Sequence, residues 1–205
     1  MKNSQIYKKP KERIIYLNFK PKEKLNINSL AKEYKTSTSP IKEALIILES
    51  EGLVFSIPYS GFFVSDISFE EIKDLFEFRM LLLNFVGKLA AKRITEKEIE
   101  NLELILEKIK KTKSTDNFIK LETRFHYILN NSTKNQQLAN TLKYSEDQVN
   151  RLWFFTDKEN KYKLRIPNGF QQIILALKQK DGDMSTKLLQ DHAEGFIDAI
   201  KCCLY

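Results

Sequence analysis

Apolar and polar residues follow a helical period along most of this chain. Apolar side chains return every three or four positions over long stretches, which places them on one face of a helix. The period changes in residues 53–64, where two short apolar runs flank Pro58-Tyr59-Ser60-Gly61. Apolar runs on both sides of such a turn predict a β-hairpin. The chain is therefore predicted to be mostly helical, with one small hairpin.

Residues 1–66 are predicted to form a winged helix-turn-helix domain. Helices are expected at residues 6–19, 27–34 and 37–51, followed by strands at 53–57 and 62–64. Pro10 interrupts the first helix early, Asn26 is placed to cap the second, and the hydroxyls of residues 36–39 can cap the third. Gly52 ends that third helix. A helix followed at once by a two-stranded wing is the shape that places one helix in a DNA major groove.

Residues 67–205 are predicted to form a second domain, an antiparallel bundle of about six helices. The helical period gives segments at residues 68–93, 95–113, 115–132, 135–156, 158–180 and 182–204. Thr95 followed by Glu98 is a capping-box signature and marks the start of the second segment. Pro167 lies within the fifth segment and is expected to kink or shorten it. The predicted fold class is thus all-α with a small β-wing.

Positive charge is concentrated in the predicted DNA-binding part. The 205 residues carry a net charge of +7, and residues 1–65 hold 11 Lys or Arg against 6 Asp or Glu. An excess of cations on a small domain suits contact with the phosphates of nucleic acid. A hydrophobic content of 42% is enough for a folded core and argues against disorder.

Several classes of protein are disfavoured by what the sequence lacks. The chain has no run of 18 apolar residues and no apolar core at its N-terminus, so neither a membrane span nor a secretory signal is expected. Cys202 and Cys203 are adjacent and are the only cysteines, and two such thiols do not make a disulfide framework. We therefore expect a protein of the reducing cytoplasm, without a membrane partner.

The helix and hairpin of the first domain resemble the DNA-binding domain of the GntR family of bacterial transcription regulators. In that family a Pro-Gly-x-x-Leu turn precedes a recognition helix of the form Ser-Arg-x-Pro-Val-Arg-Glu-Ala-Leu, then Glu-Gly-Leu-Val and a wing ending in Gly-x-x-Val. The corresponding segments here are Pro21-Lys22-Glu23-Lys24-Leu25, Ser37-Thr38-Ser39-Pro40-Ile41-Lys42-Glu43-Ala44-Leu45, Glu51-Gly52-Leu53-Val54 and Gly61-Phe62-Phe63-Val64. Order and spacing agree from residue 21 to residue 64.

The resemblance implies which residues read DNA. They lie on the second helix, in the turn and helix that follow it, and in the wing: Asn28, Lys32, Lys35, Ser37, Thr38, Ser39, Lys42, Tyr59, Ser60 and Gly61. Asn28, Thr38 and Lys42 stand where the family often has arginine, whose planar fork pairs with guanine. We expect binding to persist through the lysines and the wing, with an operator unlike the family's guanine-containing sites. The alternative is that specific DNA reading has been lost.

The C-terminal part resembles the FCD domain, the all-helical effector-binding and dimerisation domain of one GntR subfamily. The strings that carry this resemblance are Phe78-Arg79, Leu89-Ala90-Ala91, Phe125-His126 with Asn135 and Leu138, and Ile173 to Leu177 followed by His192. The resemblance implies a homodimer and a small-molecule effector, with Arg79 pointing into the pocket to grip an effector carboxylate. An alternative role for Arg79 is a surface ion pair with Glu77 or another nearby acid. Weaker candidates for the pocket are Arg124, Tyr127, Asn135 and Arg151.

Both histidines of the chain fall at positions where FCD proteins have metal ligands. The family pattern is an Asp four residues before a His, with two further His near the C-terminus, and the corresponding residues here are Glu122, His126, Phe170 and His192. An i,i+4 spacing puts Glu122 and His126 on one helix face. With His192 they make three donors, enough for a divalent metal such as zinc, whereas Phe170 offers none. The alternative is a metal-free pocket in which Phe170 packs against an organic effector.

These features together predict a ligand-responsive, homodimeric transcription regulator and not an enzyme. A small organic acid, with or without a metal, would bind in the helical domain and alter DNA binding. Repression is the commoner mode in the family. Two alternatives stay open: a helical interaction protein that has lost DNA reading, and a small metal-dependent enzyme built on Glu122, His126 and His192. The sequence offers that enzyme no further acid–base group, nucleophile motif or phosphate loop.

Overall fold

The chain divides into two compact units. A computed structural model describes residues 2–156 and 165–204. The units are Met1–Phe69 and Glu70–Tyr205, and the sequence places the boundary within a few residues of this division. No helix in the described ranges combines the length and the hydropathy needed to cross a membrane.

The first unit combines helices with one small sheet. In chain order its described elements are α1 (Lys2–Ile15), β1 (Lys24–Leu25), α2 (Ile27–Glu33), α3 (Thr38–Ser50), β2 (Val54–Ile57) and β3 (Gly61–Val64). The sheet is antiparallel with the strand order β1-β3-β2, and Val54 pairs with Val64 in the β2–β3 hairpin. The helix-then-wing arrangement expected from the sequence is confirmed.

The apolar stripe of α3 forms the centre of this unit's core. Its members Ile41, Ala44, Leu45 and Leu48 are all buried. Each large apolar side chain removed from water stabilises the fold by about 1.5–3 kcal/mol. The expected cap of α2 is confirmed, because the Asn26 side chain accepts a hydrogen bond from the Ser29 N–H at 3.0 Å. Gly52 ends α3 with a φ of 72°, a conformation that glycine adopts without a steric penalty.

The expected limits of the first helix are wrong. Helix α1 begins at Lys2 and ends at Ile15, and Pro10 lies inside it without ending it. The backbone turns at Leu17, which has a φ of 55°. Phe19 therefore lies beyond the helix, where its buried ring packs 3.7 Å from the guanidinium of Arg13.

Two further details of the first unit differ from expectation. Ser37 is the N-cap of α3, but its side chain makes no capping hydrogen bond. The sheet has a third strand, β1, which pairs Lys24 with Phe63 and Leu25 with Phe62. A two-residue strand carries no periodic signal, so its pairing with β3 is visible only in three dimensions.

The second unit contains six helices within the described part of the chain. They are α4 (Phe69–Arg93), α5 (Glu96–Lys111), α6 (Thr115–Ser132), α7 (Gln136–Thr156), α8 (Ile166–Lys178) and α9 (Gly182–Leu204). Helix α5 packs against α6 and α8, α6 packs against α7, and α9 packs against α8 and α7. The expected helical bundle is confirmed.

Local chemistry sets the ends of these helices. Thr95 and Glu98 form the expected capping box at the start of α5, each side chain accepting a hydrogen bond from the other's backbone N–H. Helix α8 spans Ile166–Lys178 within the expected segment 158–180, after a turn at Arg165, and residues 158–164 of that expectation lie outside the described residues. Pro167 stands in the first turn of α8, where its missing N–H removes no helical hydrogen bond, so the helix starts next to this proline, as its shortening effect predicts.

Helices α4 and α9 approach each other closely at Gly87. A Cβ atom placed on Gly87 would overlap the Thr186 side chain and lie 2.5 Å from the Thr186 Cα and backbone nitrogen. Gly87→Ala should therefore lower the free energy of unfolding by about 1–3 kcal/mol, because one helix has to shift. Chemical denaturation of the purified protein measures this change.

Gly169→Ala is the matched control for that variant. Gly169 lies in α8, and a Cβ placed there meets nothing within 4 Å. Alanine favours a helix over glycine by about 0.5–1 kcal/mol, so this variant should be neutral or stabilised. Equal stabilities for the two variants would contradict the close contact of α4 with α9.

Candidate effector pocket and DNA-binding surface

Glu122 and His126 stand one turn apart on the inner face of α6. The helix begins after Ser114, whose hydroxyl caps it by accepting a hydrogen bond from the Asn117 N–H. Glu122 Oε1 lies 3.1 Å from His126 Nε2, and both side chains are buried. The i,i+4 spacing noted in the sequence thus brings a carboxylate and an imidazole into contact inside the second unit.

His192 from α9 completes a group of three metal-ligating side chains in the described residues. Its Nε2 lies 3.3 Å from His126 Nε2 and 3.7 Å from Glu122 Oε1. A tetrahedral zinc ion with bonds of about 2.0–2.1 Å holds its ligand atoms about 3.3 Å apart. The separations of 3.1, 3.3 and 3.7 Å lie around this value, so small side-chain shifts would let all three bind one ion.

The electrostatics of the group shift the pKa values of its three members in different directions. Burial by itself raises the pKa of the Glu122 carboxyl, but His126 and His192 hold that pKa below its usual range. Burial by itself lowers the pKa of His126, and the neighbouring Glu122 carboxylate outweighs burial and raises it. His192 has a lowered pKa, first because it is buried. A neutral imidazole is the form that binds a metal ion.

Phe170 of α8 lies against both imidazoles and offers no ligand atom. Its ring stacks on Phe125 with 3.8 Å between centroids and an interplanar angle of 8°. Its centroid is 5.6 Å from that of His126 and 5.1 Å from that of His192. Phe170 is fully buried and does not line the cavity beside the three donors. Contact between Phe170 and an effector would require that cavity to widen.

Arg79 of α4 is buried and reaches towards α7. Its Nη1 donates a hydrogen bond to Ser145 Oγ at 2.6 Å and lies 3.4 Å from Glu146 Oε2. The side chain is only 6% exposed, so a surface ion pair with Glu77 is wrong as an account of Arg79. Glu77 instead lies 3.6 Å from Lys73 at the surface.

Arg79 and the three donors face one small cavity. The rest of its lining is apolar and consists of Phe76, Leu83, Val149, Leu189, Ala193 and Phe196. Its volume is about 20 Å³, which is room for roughly one water molecule. Arg79 Nε and Glu122 Oε2 are buried and have no hydrogen-bond partner among the described residues. The cavity thus presents one cationic donor and one anionic acceptor whose bonding capacity is incomplete.

The weaker candidates from the sequence lie away from this cavity. Asn135 caps α7 by accepting a backbone hydrogen bond at 3.2 Å. Arg124 lies 4.9 Å from the centre of the Tyr127 ring. Arg151 is 1% exposed and belongs to the core. None of these four side chains is among those that line the cavity of Arg79.

The residues expected to contact DNA lie on the surface of the first unit. Gly61 is half-buried, and the others are exposed: Asn28, Lys32, Lys35, Ser37, Thr38, Ser39, Lys42, Tyr59 and Ser60. The side chains of Lys32, Lys35 and Lys42 have no carboxylate partner in the described part of the chain. Helix α3 has no acidic residue in its first turn, so the positive end of its dipole adds to the field of these lysines.

Tyr59 stands at the tip of the wing in an uncommon backbone conformation. Its φ is 62° and its side chain is fully exposed. The Ser60 N–H donates to the Ile57 carbonyl oxygen at 3.0 Å and closes the turn. Pro58 suits the second position of a type II turn, and the next position ordinarily takes glycine. This conformation presents the whole aromatic side chain to solvent at the tip of the wing.

Comparison with known proteins identifies both units. The family model for bacterial regulatory proteins of the gntR family matches residues 2–64, and the FCD domain model matches residues 74–195. The chain belongs to the GntR family. Its second unit is an FCD domain, as the helical pattern and the position of Glu122, His126 and His192 suggested.

Individual relatives agree with this assignment. The chain is 31% identical over 150 residues to the uncharacterized HTH-type transcriptional regulator YdhC of Bacillus subtilis, covering 71% of this chain and 66% of YdhC, a little under two thirds of its length. It is 24% identical over 202 residues to the HTH-type transcriptional repressor RspR of Escherichia coli, covering 97% and 89%. The solved structure of E. coli McbR/YncC shares the fold, with a TM-score of 0.86 at 17% identity over 100% of this chain and 99% of that one.

The sequence did not single out the residues that hold Arg79. Ser145 and Glu146 follow Leu142 by three and four positions on the buried face of α7. Two polar residues at positions where the helical period demands apolar ones are the signal that could have found them.

Proposed function

We propose that this GntR-family protein is a homodimeric transcription regulator of the bacterial cytoplasm that represses its target in response to a small molecule. The observation that carries the proposal is the exposed face of the winged helix, where Lys32, Lys35 and Lys42 have no carboxylate partner in the described residues. A charged internal pocket in the second unit supplies a place for an effector. The relative RspR is named a transcriptional repressor, which supports repression here. The relatives' names describe regulators and not enzymes.

DNA reading would rest on the N-terminal half of α3. Thr38 and Lys42 are exposed and one turn apart, so both can enter the same major groove. Lys42 can donate to a guanine edge, and Thr38 can contact a thymine methyl group. Lys32 and Lys35 would neutralise phosphates. We expect a palindromic operator with half-sites about one helical turn apart.

A comparison of Lys42→Ala with Lys35→Ala should distinguish contacts to DNA bases from contacts to phosphates. The operator is first selected from random duplex DNA with the full chain. If Lys42 meets a guanine, its removal should cost about 1–3 kcal/mol of binding and relax the preference at one position in each half-site. Lys35→Ala should instead weaken all sequences alike and lower the salt slope by about 1 for each lysine lost. Fluorescence anisotropy at several salt concentrations measures both effects.

Lys97→Ala is the control for these variants. Lys97 is exposed on α5, so this change removes one cation without touching the winged helix. Binding that falls as much in Lys97→Ala as in Lys42→Ala would show that only net charge matters. If selection returns no salt-resistant palindrome, the chain is better described as an interaction protein that has lost DNA reading.

The internal pocket supports an anionic effector held by Arg79 and a divalent metal. Glu122, His126 and His192 would hold the metal, which when bound supplies an open Lewis-acid position for a carboxylate. The buried guanidinium of Arg79 can grip a carboxylate through its planar fork. An organic acid is larger than a cavity of about 20 Å³, so binding must widen the pocket. Such a ligand favours the widened arrangement and can thereby alter DNA binding.

The purified chain should bind one zinc ion through this group. Zinc that binds to the folded state and not to the unfolded state raises the melting temperature of the protein, and His192→Ala should abolish this rise. Phe170→His should strengthen binding, because it adds a fourth nitrogen donor beside both imidazoles. Elemental analysis after dialysis and thermal denaturation at increasing zinc concentration measure these changes.

Arg79→Lys distinguishes the metal from the effector. It keeps a positive charge near Glu146 but loses the planar fork, so zinc binding should persist while the response to carboxylic acids weakens. A wild-type chain that takes up no zinc contradicts the metal proposal. The effector proposal is contradicted if mono-, di- and tricarboxylic acids change neither the melting temperature nor the operator affinity of the chain.

An exposed apolar stripe on α4 supports dimerisation through the second unit. Phe78, Leu81 and Phe85 are 48%, 69% and 59% exposed, and their spacing places them on one side of the helix. A contiguous exposed apolar patch marks an interaction surface, whereas single exposed apolar residues do not. A second copy of this chain is the partner we propose, because a palindromic operator requires two winged helices related by symmetry.

Leu81→Glu should convert the dimer to a monomer, because it places a charge in the centre of the apolar stripe. Sedimentation velocity of the full chain measures the change. Leu104→Glu is the matched control, since Leu104 is 60% exposed on α5 and receives the same substitution. A dimer that survives Leu81→Glu, or one that Leu104→Glu also dissociates, places the interface elsewhere.

A further inference from the structure

A second cavity lies between α6 and α7 and is separate from the pocket that faces the metal-ligating group. Its volume is about 250 Å³, more than ten times that of the first cavity. Its walls come from one side of α6 and from the first turns of α7. The side chains that give it its chemical character are Tyr127, Asn130, Asn131, Gln136, Asn140 and Glu146.

Asn130 is a nearly buried residue whose side chain lines this cavity. It is 6% exposed, and its carboxamide has no hydrogen-bond partner among the described residues. Asn130 lines the cavity, and its polar side-chain atoms are not among the fully buried atoms that lack a partner, so they face the space of the cavity, where a bound molecule can supply their hydrogen bonds.

The other carboxamides of the cavity leave part of their bonding capacity unused. Gln136 Nε2 donates to Asn140 Oδ1 at 2.9 Å, and Asn131 Nδ2 donates to the backbone oxygen of Tyr127 at 2.7 Å. Gln136 Oε1, Asn140 Nδ2 and Asn131 Oδ1 then have no partner in the described part of the chain. The carboxamides of the walls therefore offer both uncharged donors and uncharged acceptors.

The charged groups of this cavity disfavour an anion. Glu146 and Asp147 bring two carboxylates to the wall from α7, and Lys143 brings one ammonium group. A carboxylate or phosphate ligand would meet two like charges here, one of them on the side chain of Glu146, which is only 9% exposed. The hydroxyl of a neutral molecule instead donates to these acceptors. The second cavity thus selects against the class of ligand that the first cavity attracts.

We propose that the cavity between α6 and α7 is a second small-molecule site, which binds a compact, uncharged polyhydroxylated molecule, a monosaccharide or a sugar alcohol. Each hydroxyl of such a molecule donates and accepts, as the carboxamides of the walls do. Tyr127 and Ala139 supply apolar surface for its C–H groups. The cavity is smaller than the about 300–1,000 Å³ of sites for drug-sized ligands, which suits a ligand of this size.

Titration of the full chain with pentoses, hexoses and their alditols tests this site. Saturation-transfer NMR identifies the sugars that bind, and calorimetry gives their dissociation constants. At least one should bind at millimolar concentration or below. Asn130→Leu should weaken it about tenfold or more, because one amide is lost from the wall. Asn101→Leu on the exposed side of α5 is the matched control and should leave the affinity unchanged. Asn140→Ala, at an exposed position, repeats the test should Asn130→Leu fail to fold.

Three results would overturn the proposal. The first is a wild-type chain that binds none of these sugars at millimolar concentration. The second is sugar binding that neither Asn130→Leu nor Asn140→Ala weakens, which would place the sugar elsewhere. The third is a cavity between α6 and α7 that binds only organic acids or only amino acids and none of the sugars. None of these measurements involves DNA, zinc or the dimer, so their outcome is independent of the regulatory function proposed above.

Discussion

The buried carboxylate of Glu122 is the constraint on which the interior of the second unit depends. An ionised carboxyl taken out of water costs several kcal/mol unless opposite charge lies beside it. His126 on the same helix, whose pKa is raised, supplies that charge, and His192 on α9 lies 3.7 Å from the same carboxylate, so the group links α6 to α9. Replacing either imidazole alone would leave a buried charge with less compensation, which is why this group has to be understood as a unit.

A second buried charge, that of Arg79, lies at the same small cavity as the Glu122 carboxylate. Arg79 is held by Ser145 and Glu146 of α7, so α4 and α7 are joined by a charged contact as well as by apolar packing. The rest of the cavity wall is apolar, so the charges act on one another with less screening than at the surface. The unsatisfied atoms Arg79 Nε and Glu122 Oε2 leave the cavity poised for a ligand that can bond to both.

The sequence predicts those features that local signals determine. The limits of α6 and α9 follow from the residues at their ends, and the expected ranges 115–132 and 182–204 agree with the structure. The end of α1 could not be predicted from the sequence, because a leucine at position 17 gives no indication of a left-handed backbone conformation. The partners of Arg79 and the cavity beside Asn130 depend on how α7 is rotated about its axis. Helical periodicity determines that rotation only to within a residue or two. An error of this size changes which side chains of α7 line each cavity.

Glu146 stands between the two cavities of the second unit. Its carboxylate lies 3.4 Å from Arg79 Nη1, and the same side chain lines the cavity between α6 and α7. A charge-assisted hydrogen bond is ordinarily about 2.7–2.9 Å long, so this pair is not at its strongest geometry. In the proposed second site, a ligand hydroxyl that donates to Glu146 would compete with Arg79 and leave the guanidinium more available to the first cavity. Linkage makes the effect reciprocal, because an acid that draws Arg79 away leaves Glu146 a better acceptor for that hydroxyl. Ligands in the two cavities would therefore strengthen each other's binding.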